Sequence, residues 1–143
     1  MRKKNGSQSI GHARGGPTTK IHASVDALGN PSRILLTEGQ THDITQTEAL
    51  VAGVRNANII ADKGYDSKKV IALLESQGCQ PVIPARKCSP PREIDWHLYK
   101  ERALVEGFFQ KIKRNRRIAM RFEKLAAHYL AMVTLAAILV WLA

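Results

Sequence analysis

The stretch YKERALVEGFFQKIK, residues 99–113, has the pattern of one amphipathic helix. At about 100° per residue, large apolar side chains fall on one stripe of that helix: Leu104, Val105, Phe108, Phe109 and Ile112. A narrow neighbouring sector carries an aromatic hydroxyl, a guanidinium, a carboxylate and an ammonium group: Tyr99, Arg102, Glu106 and Lys113. The pattern predicts a helix that buries its apolar stripe and carries a polar line beside it.

The polar line places one carboxylate among cations, a combination that suits phosphate and metal chemistry. Glu106 can hold a divalent ion, while Arg102 and Lys113 hold the anionic backbone on which the ion acts. Charged residues on the outer face of an amphipathic helix are also common as a solvated surface. The helix by itself therefore leaves both interpretations open.

Length and charge favour one domain that binds a polyanion. The chain has 143 residues, a length that fits one domain with a real core. Its 22 Lys and Arg against 12 Asp and Glu give a formal net charge of +10, which favours nucleic acid before membrane as the partner. The basic residues concentrate in residues 1–20 and 99–124, and the middle is closer to neutral. A basic surface without a partner is the less favoured alternative.

The two cysteines, Cys79 and Cys88, lack a CxxC spacing and have no nearby pair of histidines. Neither a disulfide scaffold nor a zinc site is indicated. We expect two ordinary thiols in a reduced, cytoplasmic protein.

Turn signals and β-forming residues predict a hairpin that follows a basic arm. Residues 1–17 are rich in Gly, Ser, Asn and Arg and predict a flexible arm. Residues 18–25 and 32–37 predict two antiparallel strands joined by the turn DALGNP at 26–31. A helix with Thr near its start is predicted at residues 44–54.

The middle of the chain predicts a βαβ unit. Residues 58–61 and 80–83 are short apolar strands on either side of a helix at 67–77. Proline-rich residues 84–95 predict a loop before the long helix, which begins near Trp96. The order of elements is typical of an α/β fold.

Residues 122–143 predict a second helix, whose apolar run at 125–143 is about long enough to cross a bilayer. A membrane anchor is therefore one alternative. We favour a helix buried against the sheet, because the run is rich in Ala and ends the sequence without flanking charge. A sheet also needs a helix to cover one of its faces.

Asp62 and Glu106 are the acidic candidates for a metal site. Asp62, in ADKGYD, follows a predicted internal strand, where open α/β sheets place their sites. Asp before a tight turn is also a common structural choice. Two carboxylates that converge from a strand end and a helix can hold Mg²⁺, and two such ions can activate a nucleophile and stabilise a leaving oxygen in phosphoryl transfer.

These motifs resemble the bacterial insertion-sequence transposases of the Asp-Asp-Glu group, which have a ribonuclease-H-like core. The family signature Tyr-x2-Arg-x3-Glu-x6-Lys is matched with every spacing correct at Tyr99, Arg102, Glu106 and Lys113. The signature Asp-x-Gly-Tyr is matched at Asp62, Gly64 and Tyr65. The resemblance covers nearly all of the chain beyond about residue 11.

The resemblance implies a mixed ribonuclease-H-like sheet with flanking helices, and strand cleavage and transfer that depend on two Mg²⁺ or Mn²⁺ ions. Asp62 would be the second metal-binding acid and Glu106 the third. The residues expected to contact DNA are Tyr99, Arg102, Lys113, Arg114, Arg116 and Arg117. Such contacts to phosphate position a duplex without reading its bases. The partners would be the element ends, the target DNA and further copies of the chain in a synaptic complex.

One family feature is missing from the sequence. The family's first catalytic Asp lies on the first, central strand of the core, upstream of the strand at residues 18–25, and the sequence offers no such strand. Asp26 and Asp43 are the acids that could substitute, but Asp26 lies in a turn, and His42 and Asp43 could equally cap the next helix. We therefore expect an incomplete fold: one half of a split transposase that a frameshift joins to an upstream half, or a decayed copy, inactive alone.

Two other functions stay open on the sequence alone. The chain could be a basic DNA-binding protein without catalysis, or a small membrane-anchored protein held by residues 125–143. An open sheet edge would also make the isolated chain prone to aggregate.

Overall fold

The computed structural model describes residues 7–14 and 16–143, and the chain divides into two compact units. Unit 1 comprises Met1–Thr41 and Val105–Ala143, and unit 2 comprises His42–Leu104. The strands are β1 (Gly11–Ala13), β2 (Gly16–Val25), β3 (Pro31–Glu38), β4 (Asn58–Ile60) and β5 (Gln80–Val82). The α-helices are α1 (Thr47–Leu50), α2 (Lys68–Ser76), α3 (Trp96–Tyr99), α4 (Ala103–Lys113), α5 (Arg116–Ala119) and α6 (Ala126–Leu142). Short 3₁₀ turns occupy Asp43–Gln46, Lys63–Tyr65 and Lys100–Arg102.

Unit 1 is built on an antiparallel sheet in the order β1-β2-β3. The turn between β2 and β3 is organised by Asp26, whose Oδ1 accepts hydrogen bonds from the backbone N–H groups of Leu28 and Asn30, each at 2.9 Å. Gly29 takes a left-handed φ of 82°, which glycine adopts without strain. The predicted hairpin is confirmed, and Asp26 serves as a turn residue.

The predicted flexible arm at residues 1–17 is wrong for the stretch that includes β1. Gly11 pairs with Thr18 and Ala13 with Gly16 in an antiparallel ladder. The Arg121 guanidinium also donates to the backbone carbonyls of Gln8 and Ser9, at 2.8 and 3.2 Å. This part of the chain is therefore held by backbone pairing and by a distant arginine. Residues 1–6 and 15 lie outside the described residues.

Helices cover one face of the unit 1 sheet. The buried core residues are Phe108, Ile112, Ile118, Tyr129, Val133 and Ala137. Alternate residues of β2, Ile21, Ala23 and Val25, pack against this core, as the period of two along a strand requires. Phe108 and Ile112 are one turn apart on the predicted apolar stripe of α4 and are 1% and 2% exposed, which confirms that the stripe faces a core.

The C-terminal helix begins later than predicted. The short helix α5 precedes the predicted range, and the last helix, α6, begins at Ala126 rather than at residue 122. The Oδ1 of Asn115 caps α5 by accepting from the N–H of Arg117 at 3.1 Å. Arg121 has a φ of 39°, in the left-handed region, which ends helical winding between the two. The expected packing of the last helix on the sheet is confirmed, because α6 contacts β3.

The described residues contain no helix with the length and apolar character that crossing a membrane requires. The described helices include α6, which covers most of the apolar run at residues 125–143.

Unit 2 contains the predicted βαβ unit. Strands β4 and β5 are parallel, with Ile59 opposite Pro81, and α2 connects them. Ser67 caps α2 by accepting from the N–H of Val70 at 3.1 Å. The core of this unit includes Leu74 and Ile83, which are 0% and 1% exposed. The loop predicted at residues 84–95 is confirmed.

The first helix of unit 2 is shorter than predicted for residues 44–54. The chain forms the 3₁₀ turn Asp43–Gln46 and then the single turn α1. Gly53, with a φ of 80°, follows α1 in the left-handed conformation that is typical of a helix end. His42 occupies the N-cap position but makes no capping hydrogen bond through its side chain, so the capping alternative is wrong for His42.

The α/β class is confirmed, but the described strands do not form one mixed sheet. They form a three-stranded antiparallel sheet in unit 1 and a two-stranded parallel sheet in unit 2. Two sheets form because, among the described residues, β4 pairs only with β5, and both strands are only three residues long.

Candidate active site

The turn that follows β4 explains the Asp-x-Gly-Tyr pattern. Asp62 is the N-cap of the turn Lys63–Tyr65, and its Oδ1 accepts from the N–H of Gly64 at 2.6 Å. A Cβ on residue 64 would lie 2.7 Å from that oxygen, so the position has no room for a side chain. Asp62 is exposed, and no hydrogen bond to its Oδ2 occurs within the described part of the chain. One carboxylate oxygen therefore shapes the turn while the other faces solvent.

Tyr65 anchors this turn in unit 2. Burial, followed by the nearby carboxylates of Asp43 and Asp62, raises the pKa of Tyr65 to about 12, so the phenol stays neutral near pH 7. The turn Asp43–Gln46 packs against the turn Lys63–Tyr65. Asp43 and Asp62 thus share Tyr65 as a neighbour, whereas Asp26 is occupied by its own hairpin turn.

Asp62 opens into a pocket of about 770 Å³ within unit 2. The pocket is lined by three short pieces of chain: Asp62, Lys63 and Gly64; Pro84, Ala85, Arg86 and Lys87; and Tyr99 and Arg102. It brings together three of the predicted site residues, Asp62, Tyr99 and Arg102. The carbon at the centre of the Arg102 guanidinium lies 5.8 Å from the centroid of the Tyr99 ring, a cation–π distance. Trp96 meets the same ring edge-on, with centroids 5.6 Å apart.

The predicted helix at residues 99–113 forms, with a change of winding. Helix α3, the 3₁₀ turn Lys100–Arg102 and α4 follow one another without a break. Asp95 caps the start by accepting from the N–H groups of His97 and Leu98, at 2.9 and 3.0 Å. The segment therefore carries all four residues of the polar line within one continuous helical run.

The boundary between the two units falls inside α4, so Glu106 and Lys113 belong to unit 1. Glu106 is exposed. The Lys113 ammonium lies 5.6 Å from the centroid of the Phe109 ring. The predicted meeting of Glu106 with Asp62 involves both units and stays a prediction.

The three predicted DNA-binding arginines beyond α4 lie around α5 and are exposed: Arg114, Arg116 and Arg117. Their environments differ. The Nε of Arg117 lies 3.3 Å from Oε1 of Glu123, a partly neutralising ion pair at a side chain that is 58% exposed. The Nε of Arg116 donates to Sδ of Met120 at 3.5 Å.

Sequence reasoning missed the residues that form the wall of the pocket contributed by the loop at residues 84–95. It described residues 84–95 only as a loop and gave no role to Lys63, Arg86 or Lys87. The organising group of this wall is Asp66, whose side chain is 3% exposed and lies 2.7 Å from the Nη2 of Arg92. The backbone N–H of Arg86 donates to the other carboxylate oxygen at 2.7 Å. The signal available in the sequence was the second acid of the run ADKGYD, directly after Tyr65.

Asp66 is charged despite its burial. Burial by itself raises the pKa of this carboxyl, but hydrogen bonds from Arg92, the Arg86 backbone and Ser89 outweigh it and lower the pKa from 3.8 to about 2. The ion pair with Arg92 is therefore intact at neutral pH, and it fixes the loop against the turn that follows Asp62.

The donor chemistry at Asp62 fits a hard divalent cation. Mg²⁺ is usually held by one or two carboxylates, with waters and substrate phosphates completing its shell, and Asp62 offers an accessible carboxylate oxygen in an open pocket. Within residues 7–14 and 16–143, no cluster of three or more His, Cys, Asp or Glu side chains could hold a metal ion. Unit 2 would accordingly supply Asp62 as a single protein ligand from this pocket.

One pocket of unit 2 thus brings together residues of the two sequence signatures: the strand-end acid Asp62, and Tyr99 with Arg102. The family model described as "Transposase DDE domain" matches residues 2–141. The chain belongs to this transposase family, and the family predicted from the sequence is confirmed.

Relatives from three bacteria support this assignment. A protein described as a transposase for insertion sequence element IS6501, from Brucella ovis, is 42% identical over 130 residues, which are 87% of this chain and 98% of the relative. A protein described as a transposase for IS402, from Burkholderia cepacia, is 31% identical over 137 residues, and the match covers 62% of its length. The transposase for IS1106 of Neisseria meningitidis is 29% identical over 124 residues, or 41% of its length. No solved structure matches the chain.

Proposed function

We propose that this protein is the transposase of an insertion sequence, which cuts the ends of its element and joins them to target DNA. The observation that carries the proposal is the pocket of unit 2. There, the accessible carboxylate of Asp62 lies with Tyr99 and Arg102, so residues of two separate family signatures meet at one site. The relatives named as insertion-sequence transposases agree with this reading.

Asp62 and Glu106 are proposed as the metal-binding acids, with Mg²⁺ or Mn²⁺ in a two-ion site when the catalytic core is complete. Such ions activate a nucleophile and stabilise the leaving oxygen of a phosphodiester. Arg102 would hold a phosphate near Asp62, and its contact with the Tyr99 ring would orient the guanidinium. Lys113, Arg114, Arg116 and Arg117 would bind the DNA backbone and position the duplex.

A complete core requires a third acid. We propose that a strand upstream of β2 supplies it and pairs with β4 in a ribonuclease-H-like sheet. This proposal is supported by the available edge of β4, which has β5 as its partner among the described residues. Asp43, a neighbour of Tyr65 together with Asp62, is the alternative source. The active form would be a homo-oligomer on paired element ends, in the cytoplasm at the nucleoid.

Strand cleavage tests this function. The substrate is a labelled duplex that contains the DNA flanking the gene, incubated with Mg²⁺ and the chain, with and without the upstream segment encoded before it. We expect Asp62→Asn and Glu106→Gln to lower cleavage by the completed protein at least a hundredfold while DNA affinity stays within about twofold. Glu75→Gln, an exposed acid on α2, is the matched control and should cleave normally.

Two results would contradict the proposal. Cleavage by Asp62→Asn at the wild-type rate would remove Asp62 from the chemistry. DNA binding without cleavage by the completed wild-type protein would instead favour a non-catalytic DNA-binding protein.

A further inference from the structure

The pocket beside Asp62 contains more positive charge than the family signatures account for. Arg102 belongs to the signature, but Lys63, Arg86 and Lys87 also line the pocket. All three are exposed. Four cationic side chains and a single carboxylate therefore line one pocket, in a stretch of sequence that is close to neutral overall.

Arg86 is held in place by the turn that carries Asp62. Its Nε donates to the backbone carbonyl of Lys63 at 2.9 Å, and its Nη2 donates to that of Gly64. These bonds fix the guanidinium against the residues directly after Asp62. Arg86 therefore serves as the connection between the loop and the turn, and it brings Lys87 to the same pocket.

The buried carboxylate of Asp66 also fixes the loop, in addition to the bonds between Arg86 and the turn. The buried Asp66 carboxylate accepts from the backbone N–H of Arg86 and from the guanidinium of Arg92. Arg92 also donates through Nη1 to the carbonyl of Ile83, at 2.6 Å, at the end of β5. The Asp66 carboxylate is buried, so breaking its ion pair with Arg92 would leave that charge without a partner. The loop that carries Arg86 and Lys87 is therefore held in place beside the turn.

We propose that this pocket is a second phosphate-binding site for DNA, in which Lys63 and Lys87 contact a backbone phosphodiester next to the one at Asp62. The Asp66–Arg92 ion pair acts as the positioning element that holds the loop over the bound strand. Lysine suits this role because its ammonium is a mobile point charge that follows a phosphate without fixed geometry. The proposal rests on the proposed function, since it assumes that the ligand is the DNA on which the protein acts.

Salt dependence of DNA binding tests the two lysines. The probe is a fluorescein-labelled duplex of 20 base pairs, titrated with the full chain between about 50 and 200 mM salt. The slope of log K against log salt is negative, and each lost phosphate contact reduces its magnitude by about 0.9. Lys63→Gln/Lys87→Gln should therefore reduce the magnitude of the slope by between one and two. Lys68→Gln/Lys69→Gln removes the same charge from exposed residues of α2 that do not line the pocket, and should change it less.

Cys88 offers a second readout at the site itself. It is exposed and follows Lys87 directly, whereas Cys79 is buried. We expect saturating duplex to slow maleimide labelling of Cys88 several-fold in the wild type and in Lys68→Gln/Lys69→Gln. The ratio of rates with and without DNA should return to about one in Lys63→Gln/Lys87→Gln. Using this ratio removes any effect of the substitutions on thiol reactivity itself.

Two outcomes would overturn the proposal: labelling of wild-type Cys88 that is unaffected by bound DNA, or an equal loss of salt slope in the two double variants. Thermal melting of both variants checks that they fold. Neither binding readout needs cleavage, so failure here with intact dependence of cleavage on Asp62 would refute the second phosphate site alone. Cleavage that is absent while Cys88 is protected would refute only the catalytic function.

Discussion

Gly64 and the Asp62 carboxylate approach so closely that a methyl group on residue 64 would meet Oδ1 at 2.7 Å. Gly64→Ala should push this carboxylate out of its capping position, because the hydrogen bond from the residue 64 N–H and the new methyl group compete for one space. We expect strand cleavage by the completed transposase to fall at least tenfold, with DNA affinity retained. Gly107→Ala is the matched control, since a Cβ there has no neighbour within 4 Å. Equal cleavage by Gly64→Ala and wild type would contradict this role.

Asp66 gives unit 2 a specific response to acid. Its pKa of about 2 in the folded protein lies below the ordinary value of 3.8, so its ionisation stabilises the folded state above pH 4. This contribution, about 2 kcal/mol, is lost as the pH falls towards 2, with roughly half lost by pH 3. Urea unfolding should therefore show that Asp66→Asn is less stable than wild type at pH 7, and that the difference narrows at pH 3.

Trp96 fluorescence provides the signal for this measurement, because Trp96 lies in unit 2. Asp95→Asn, at an exposed capping residue, controls for loss of an acid near that probe. A difference between wild type and Asp66→Asn that is constant from pH 7 to pH 3 would show that folding does not lower the pKa of Asp66.

At the scale of elements, Arg121 connects the start of the chain to the segment before α6. Its guanidinium donates to the carbonyls of Gln8 and Ser9 and to the hydroxyl of Thr19, and it lies 5.1 Å from the centroid of the Tyr129 ring. Lysine keeps the charge but cannot reproduce the planar fork. We expect Arg121→Lys to lower the free energy of unfolding of unit 1 by about 1–2 kcal/mol.

Trp141 reports on this unit, because its Nε1 donates to the carbonyl of Pro31 at 2.9 Å. Urea unfolding followed at Trp141 should separate Arg121→Lys from Arg114→Lys, an equivalent change at an exposed arginine. The left-handed backbone at residue 121 is common to wild type and Arg121→Lys, so the comparison isolates the side-chain contacts. Equal unfolding midpoints for the two variants would count against the connection.

At the scale of the whole molecule, unit 1 exposes a large apolar surface on α6. The exposed fractions of Leu135, Leu139 and Leu142 are 57%, 67% and 78%. Together with unpaired strand edges, such a surface favours association of the isolated chain. Leu135→Gln/Leu139→Gln should therefore raise the concentration that stays in solution after ultracentrifugation, without lowering the melting temperature. Val133→Gln, at a fully buried position of the same helix, should instead unfold unit 1.

The hairpin, the βαβ unit and the family signatures were predictable because their causes are local. Asp26 and Gly29 define the turn between β2 and β3 within a few residues. Ser67 and Gly78 mark the ends of α2 in the same way. The family could be assigned from Asp62, directly after β4, and from the spacing of four residues in the long helix: Tyr99, Arg102, Glu106 and Lys113. Both patterns can be recognised without knowing how the chain packs.

The tertiary structure decided what no local pattern contains. The carboxylate of Asp66 bonds the backbone of a residue 20 positions away and the side chain of one 26 positions away, and these bonds turn a proline-rich loop into the wall of a pocket. Arg121 likewise reaches residues more than 100 positions earlier. Backbone preferences act over a few neighbouring residues, whereas a hydrogen bond between distant residues forms only after folding has brought them together.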